Sequence, residues 1–420
     1  MSIKLSDRLS AVKPSPTLAI TARAAELRAA GKDIIGLGAG EPDFDTPEHI
    51  KAASIEAMNN GFTKYTAVDG TASLKQAIID KFKKDNNFDY NAKQILVSSG
   101  GKQSFYNLAQ ALLNKGDEVV IPAPYWVSYP DIALLADATP VIVEATQAQN
   151  FKITPVQLRA ALTNKTRLFV INSPSNPTGV AYTLSELKAL AEVLLEYPNV
   201  IVATDDMYEH ILWKKGSFVN ILNACPELYN RCMVLNGVSK AYSMTGWRIG
   251  YAAGPAEIIA GMRKVQSQST SNPTSISQVA AEEALRGDQG CIDTMLVEFK
   301  KRHDYVVEEL NKIPGIECLE TDGTFYVFPN IKNLYPRLNN IDNDLDLAEF
   351  FIEKAEVALV PGSAFGCPGH MRISIATSME NLEKGRFKDC IILTKSKLNK
   401  DLAKDRNIIS FSKKDDQNIE

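Results

Sequence analysis

The chain has 420 residues, of which 45% are hydrophobic and 23% charged; this composition is typical of a folded globular protein and excludes a disordered one. A formal net charge of −4 provides no overall attraction to nucleic acid or anionic lipid, so we expect neither partner. The sequence contains no run of about 18 apolar residues, so no membrane helix is predicted. Its charged, proline-broken start does not resemble a secretory signal. These features predict a cytoplasmic protein of two or three domains.

Cysteines and histidines are few and scattered along the chain. The six cysteines form no CxxC motif, and the four histidines lie at spacings that do not match known ligand patterns. We therefore expect reduced thiols, as in the cytosol, and no bound metal.

A repeated pattern runs through the middle of the chain: a short β-branched segment, a turn rich in Gly, Pro, Ser or Asn, and then a helical segment. Strands that alternate with helices predict a mostly parallel sheet covered by helices on both faces, an α/β architecture. We place this larger domain at residues 46–314. Its predicted strands are 94–98, 118–121, 140–143, 167–171, 199–203 and 233–235.

The C-terminal third has a different pattern, with shorter strand candidates between acidic helices. We predict a smaller α+β domain at residues 315–395, completed by the N-terminal arm of residues 1–45, whose segment 34–40 joins it. Residues 396–420 are predicted to be a tail, and their Lys-, Asp- and Asn-rich composition is typical of disorder. The strand candidates of this domain are 316–319, 324–328, 357–360 and 371–375.

Polar and aromatic residues follow the predicted strands of the larger domain. In open α/β sheets, ligands bind at the carboxyl ends of the strands, where these residues would meet. Each has an ordinary alternative explanation: a steric requirement for Gly, core packing for Trp, helix capping for Asp and a solvated position for Lys. Together they suit a charged aromatic cofactor that carries a phosphate. They are Gly100, Gly101, Lys102, Tyr125, Trp126, Asn172, Asn176, Asp205, Tyr208, Ser239, Lys240 and Arg248.

Three of these residues indicate specific chemistry. Asp205 ends an apolar strand, where a carboxylate is costly unless it is paired. Lys240 lies in the mainly apolar segment NGVSKAYSMTGW, where desolvation lowers the pKa of an amine and makes it a nucleophile or a base. Arg248 offers a planar fork for a phosphate, and the SGGKQ turn before a helix offers backbone N–H groups.

Nine segments, in order and spanning nearly the whole chain, resemble the class-I, fold-type I aminotransferases that depend on pyridoxal 5′-phosphate. The similarity is to the bacterial aspartate aminotransferase subgroup. The segments are AGEPDFDTP (39–47), TKYTAVDG (63–70), SSGGKQ (98–103), PAPYWVSYPD (122–131), NSPSNPTG (172–179), TDDMYEH (204–210), NGVSKAYSMTGWRIGY (236–251), QSQSTSNP (266–273) and MRISIATS (371–378).

The resemblance implies a role for each cofactor-binding residue. Lys240 would bind the cofactor through a Schiff base and move the substrate proton, Asp205 would pair with the ring nitrogen, and Tyr208 would bind the ring oxygen. Tyr65 would reach the phosphate in the neighbouring subunit of a homodimer with shared sites. Further cofactor contacts would come from Gly101, Lys102, Trp126, Asn176, Ser239 and Arg248.

The resemblance also implies how substrates bind. Arg372, with Gly40, Trp126 and Asn176, would bind the α-carboxylate. The segment SQSTSNP has no arginine for a second carboxylate, so Lys102 is the candidate for that carboxylate. Ser15 and Thr17 of the N-terminal arm would assist Lys102.

These roles predict ping-pong transamination between L-aspartate and 2-oxoglutarate. An alternative within the family is a bifunctional enzyme that also transaminates prephenate to arogenate. Ser99 and Lys102 fit the SxxK pattern of serine acyl-transfer enzymes, but we find no SDN or KTG motif. A cofactor-sensing regulator would need a DNA-binding segment, and we find no basic helix-turn-helix sequence before the domain.

Overall fold

The computed structural model describes residues 3–12, 14, 16–338 and 340–384, with residues 16–18 described for their backbone only. The predicted tail at 396–420 lies outside this range. The strands are β1 (Ile35–Gly36), β2 (Ile95–Ser98), β3 (Glu118–Ala123), β4 (Thr139–Glu144), β5 (Thr166–Asn172), β6 (Ile201–Asp205), β7 (Cys232–Gly237), β8 (Gly250–Ala253), β9 (Tyr326–Val327), β10 (Val357–Ala358), β11 (Val360–Pro361) and β12 (Met371–Ser374).

Helices follow most of the strands, and local sequence sets several of their starts. Thr183 and Glu186 form a capping box that starts one helix at Leu184. No helix in the described part of the chain is long and apolar enough to cross a membrane. The helices are α1 (Asp7–Ala11), α2 (Pro16–Ala29), α3 (Glu48–Asn59), α4 (Ala72–Lys81), α5 (Gly101–Leu112), α6 (Ser128–Leu135), α7 (Pro155–Ala161), α8 (Leu184–Leu195), α9 (Ile221–Ala224), α10 (Ala256–Ser267), α11 (Ser275–Arg286), α12 (Gly290–Asn311), α13 (Asp344–Phe350) and α14 (Met379–Lys384).

Seven strands form the central sheet in the order β2-β8-β7-β6-β5-β3-β4. Strand β8 runs antiparallel to both of its neighbours, and the other adjacent pairs are parallel, which confirms the prediction of a mostly parallel sheet. The six strands predicted for this region are all present. The sequence analysis missed β8, because its residues, Gly-Tyr-Ala-Ala, lack the β-branched side chains that mark a strand.

Apolar clusters cover both faces of this sheet. Along β5, Leu168 and Val170 contribute to one cluster, while Phe169 and Ile171 contribute to the other. This alternation is the period-two geometry of a strand with both faces buried, and the covering helices complete the two clusters. The predicted α/β layers are therefore confirmed.

A second group of strands is built from both ends of the chain. Strand β1 pairs in parallel with β10, while β11, β12 and β9 form an antiparallel sheet in that order. The pairing of β1 agrees with the expected contribution of the N-terminal segment. Helix α12 packs through Phe299 and Val306 into the apolar cluster that contains β9 and β12. The boundaries at residues 45, 314 and 395 stay predictions.

Two strand predictions in this region were wrong. Segment 316–319 forms only a single bridge, between Glu317 and Asn330. The backbone N–H and C=O groups of Cys318 bond to the side chain of Asn311 and not to a neighbouring strand. Segment 357–360 is divided between β10 and β11, which belong to different sheets. Continuous apolar sequence was not enough to distinguish one strand from two.

Candidate active site

A cavity of about 430 Å³ opens at the carboxyl ends of the central strands, where the sheet meets the second group of strands. Its walls contain most of the residues predicted to bind cofactor or substrate. These are Gly40, Gly101, Lys102, Trp126, Asn176, Asp205, Tyr208, Ser239, Lys240, Arg248 and Arg372.

Asp205 is the last residue of β6 and lies opposite Asn172 in the neighbouring strand β5. One carboxylate oxygen, Oδ2, accepts a 2.5 Å hydrogen bond from the hydroxyl of Tyr129, and Oδ1 accepts one from the backbone N–H of Met207. Burial raises the pKa of Asp205, and the Tyr129 hydrogen bond opposes that rise. The site thus holds an oriented acid that can pair with a cationic ring nitrogen.

Lys240 follows β7, and its Nζ atom donates a 2.5 Å hydrogen bond to the backbone oxygen of Gly40. Burial lowers its pKa to about 8, with Glu41 acting in the opposite direction and Arg372 adding to the fall. An amine with this pKa is neutral in a sizeable fraction of molecules near neutral pH. It can therefore act as a nucleophile and as a base.

Arg372, on β12, is a buried cation with only 3% of its surface exposed. Its Nη1 atom donates to Asn176 Oδ1 at 3.0 Å, and its Nη2 atom donates to the backbone oxygen of Gly38 at 2.7 Å. The buried Nε atom has no hydrogen-bond partner among the residues that the structure describes. An unpaired donor on a buried guanidinium is suited to a carboxylate, which binds an arginine through two oxygens.

The turn before α5 forms one corner of the cavity, and its donors are suited to an anion. Gly100 has a φ of +92°, and a Cβ atom there would lie less than 3 Å from the guanidinium of Arg248. The first N–H groups of α5 have no partner within the helix, so Gly101 and Lys102 present donors beside that guanidinium. Burial and the nearby Arg248 charge both lower the pKa of Lys102.

Two further residues, Tyr129 and Tyr326, complete the site and were not assigned to it from the sequence; Asn172 was included among the strand-end residues but was given no role. The hydroxyl of Tyr129 forms a hydrogen bond with Asp205, and the hydroxyl of Tyr326 forms one with Tyr208. The side chain of Asn172 donates a 2.8 Å hydrogen bond to the backbone oxygen of Asp205. The position of Asn172, directly after the predicted strand 167–171, was the signal that placed it at this edge of the sheet. Nothing in the local sequence distinguishes the two tyrosines from core residues.

Gly100 and Tyr125, two of the strand-end residues, do not line this cavity, and three of the residues given a cofactor or substrate role are not among its described lining residues. Tyr65 is 92% exposed, as a residue that serves a neighbouring subunit would be in a single chain. Ser15 lies outside the described residues. Thr17 belongs to α2, but its side chain also lies outside the description.

Asp85, Glu209 and His210 lie close enough together to share a metal ion. Lys81 already forms ion pairs with Glu209 and, at 3.7 Å, with Asp85. We therefore describe the group as an ion-pair network.

Comparison with known proteins identifies the class. Residues 32–386 match the family model for aminotransferases of class I and II, so the chain belongs to this family and is an aminotransferase. An aspartate/prephenate aminotransferase of Nitrosomonas europaea is 61% identical over 91% of this chain and 98% of its own length. A relative of the same name from Cereibacter sphaeroides is 53% identical, over 90% of this chain and 96% of its own.

Solved structures agree with this assignment. An aspartate aminotransferase of Rhizobium meliloti superimposes with a TM-score of 0.89 at 44% identity, covering 95% of this chain and 99% of the other. The aspartate aminotransferase of Thermus thermophilus, solved with maleate, gives a TM-score of 0.87 at 39% identity, over 93% of this chain and all of the other. The fold is that of the aspartate aminotransferases.

Proposed function

We propose that this aminotransferase uses pyridoxal 5′-phosphate to transfer the amino group of L-aspartate to 2-oxoglutarate, giving oxaloacetate and L-glutamate by a ping-pong route. The observation that carries the proposal is that one cavity holds a low-pKa amine, Lys240, a largely desolvated acid, Asp205, and an arginine, Arg372, whose Nε atom has no partner among the described residues. The names of the relatives support the choice of aspartate.

The donor set of the cavity fits this cofactor. Asp205 would pair with the ring nitrogen, and Tyr208, with Asn176, would contact the ring oxygen. Trp126 offers a flat surface to the ring. The corner formed by Gly101, Lys102, Ser239 and Arg248 would hold the phosphate, where a Cβ atom at Gly100 would displace the guanidinium. When bound, the cofactor supplies an electron-withdrawing ring that stabilises negative charge on the substrate Cα atom.

Lys240 would do the proton chemistry. It would hold the cofactor aldehyde in the resting enzyme and, once released by an incoming amino acid, would accept the Cα proton on its Nζ atom and later donate a proton from the same atom. A pKa of about 8 suits both directions of transfer near neutral pH. Asp205 would keep the ring nitrogen protonated during this transfer.

Two cationic side chains would each bind one carboxylate of the substrate. Arg372 would bind the α-carboxylate that every amino acid carries, since its Nε atom is buried and no described residue pairs with it. Lys102 lines the same cavity, with its Nζ atom 5.3 Å from the ring centroid of Trp126, and would bind the second carboxylate of aspartate. Ser15 and Thr17 would assist Lys102.

We also propose a homodimer with shared sites. Helix α3 and the loop after it expose four large apolar side chains, and Tyr65 among them is 92% exposed. Large apolar side chains exposed along one short segment are typical of a protein–protein contact. Burying it against a second copy would bring Tyr65 towards the phosphate corner of that copy. The four residues are Ile55, Met58, Phe62 and Tyr65.

The proposal is tested by light absorption. Protein loaded with pyridoxal phosphate should be yellow, and aspartate should bleach the visible band while 2-oxoglutarate restores it. A colourless protein after incubation with the cofactor, or a band that aspartate leaves unchanged, would contradict the proposal.

Prephenate is the second candidate substrate, because the relatives are named aspartate/prephenate aminotransferases. Its ring would need room beside Lys102 and Trp126. The decisive comparison is kcat/KM for prephenate against that for oxaloacetate, with glutamate as the donor. Absence of detectable prephenate turnover would exclude prephenate as a substrate, and the aspartate reaction would be the remaining candidate.

A further inference from the structure

We propose that Tyr326 is a positioning residue that holds both Tyr208 and Arg372 for the proposed reaction. This inference rests on the proposed cofactor. Tyr326 lines the cavity, and none of its surface is exposed. Its hydroxyl contacts Tyr208, and its ring contacts Arg372. One side chain therefore joins the residue proposed for the ring oxygen to the residue proposed for the substrate carboxylate.

Strand pairing places Tyr326 beside Arg372. In the pair formed by β9 and β12, Tyr326 lies opposite Ser374. Arg372 is two residues before Ser374, so it points to the same face of the sheet and is a diagonal neighbour of Tyr326. The carbon Cζ of the guanidinium lies 4.5 Å from the centre of the Tyr326 ring and 5.0 Å from that of Phe365. The two rings contact the guanidinium and favour its orientation.

The hydroxyl of Tyr326 acts on the other partner. The Oη atoms of Tyr326 and Tyr208 are 3.0 Å apart, and both side chains are buried. Each phenol has one proton, so only one of the two can donate in this hydrogen bond. If Tyr326 donates, the proton of Tyr208 is free to be donated to a ligand in the cavity. A hydrogen bond received by Tyr208 also strengthens it as a donor.

Two substitutions separate the two contacts. Tyr326→Phe removes the hydroxyl and keeps the ring over Arg372, whereas Tyr326→Leu removes both. Tyr335→Phe is the matched control, because the buried hydroxyl of Tyr335 has no hydrogen-bond partner within the described part of the chain. Two readouts are measured on protein loaded with cofactor: the pH midpoint of the visible absorbance, and the dissociation constant of succinate, a dicarboxylate without an amino group.

A phenol that donates a hydrogen bond to the ring oxygen stabilises that oxygen in its negatively charged form. The proton that titrates beside this oxygen is then lost more easily, so the pH midpoint of the visible absorbance falls. In Tyr326→Phe, we expect the midpoint to rise by about half a unit, with the succinate dissociation constant within about twofold of the parent. In Tyr326→Leu, we expect the same rise and about tenfold weaker succinate binding, because the guanidinium loses one of its rings. The control should change neither readout.

The outcomes distinguish this inference from the proposed function. If the parent protein takes up no cofactor, the proposed function is wrong. If the parent is yellow but Tyr326→Phe titrates like the parent, the positioning of Tyr208 is wrong. If Tyr326→Leu binds succinate as tightly as the parent, the role towards Arg372 is wrong. Should the leucine variant fail to fold by circular dichroism, the midpoint of the phenylalanine variant decides the proposal.

Discussion

The hydroxyl of Tyr129, in α6, donates a 2.5 Å hydrogen bond to Oδ2 of Asp205, at the end of β6. Burial alone would favour the neutral acid, and this bond favours the carboxylate. Because the bonded oxygen is held by a side chain that is only 2% exposed, the direction of the carboxylate is set by the core of the larger sheet.

Tyr129→Phe should therefore impair the reaction without unfolding the protein. We expect kcat with aspartate to fall by about tenfold, because a hydrogen bond to a charged group is lost. Steady-state kinetics would measure the change. Tyr106→Phe, on the adjacent helix α5 and partly buried against the same apolar cluster, is the control. A parental kcat in Tyr129→Phe would show that this bond does not support Asp205.

Lys240→Ala should abolish turnover and leave the cofactor bound without a covalent link. The loss of a base and nucleophile predicts a fall in kcat of at least about a thousandfold. Chemical reduction followed by denaturing mass spectrometry should find the cofactor attached to the parent chain and not to the variant. Lys93→Ala, at an exposed position, should behave like the parent. Transamination by Lys240→Ala at the parental rate would overturn the mechanism.

Lys102→Ala and Arg372→Ala should differ in which substrates they affect. Loss of Arg372 should raise KM for aspartate and alanine alike, since both carry an α-carboxylate. Loss of Lys102 should raise KM for aspartate by about tenfold or more and leave alanine almost unchanged, because alanine has no second carboxylate. KM for each amino acid in each variant is the measurement. Equal effects of Lys102→Ala on both substrates would argue against dicarboxylate selection by this residue.

His370 should make the protein sensitive to acid. Burial lowers its pKa to about 4, while the unfolded chain has an ordinary value near 6.5. The unfolded state then binds more protons between pH 4 and 6.5, so the free energy of unfolding falls as the pH drops through this range. His370 contacts Gln147 and Cys367, and protonation would charge a ring that stacks on Phe328.

Urea unfolding of the parent and of His370→Gln at pH 7 and pH 4.5 would test this expectation. The glutamine variant cannot titrate at this position, so the parent should lose about 2 kcal/mol more than the variant between the two pH values. Equal losses in the two proteins would mean that His370 does not titrate as its burial implies.

Ile55→Asp should dissociate the proposed dimer. Ile55 lies on α3 in the exposed apolar group with Tyr65, and a buried, unpaired charge at an interface is costly. We expect monomers in sedimentation experiments and loss of activity, because Tyr65 could no longer reach the second site. Val156→Asp, at another exposed apolar position, is the control and should keep the parental assembly. A parent protein that sediments as a monomer would contradict the dimer itself.

Much of the architecture could be predicted from the sequence alone. Apolar β-branched segments marked six of the central strands; five of these are buried along most of their length, where both faces must be apolar, and the edge strand β4 is more exposed. The residues that follow these strands, such as Asp205 and Lys240, could be predicted to meet because parallel strands end at the same edge. The resemblance to the aminotransferases then suggested a role for each.

Only the tertiary structure revealed how those residues are held. Tyr129 meets Asp205 across 76 positions of the chain, and Tyr208 meets Tyr326 across 118. Tyr129 and Tyr326 have no local sequence pattern that separates them from core residues, because the role of each depends on which distant side chain it faces. The two-residue strands and the Gly-Tyr-Ala-Ala strand β8 likewise form because neighbouring strands pair with them, and not because of their own β-propensity.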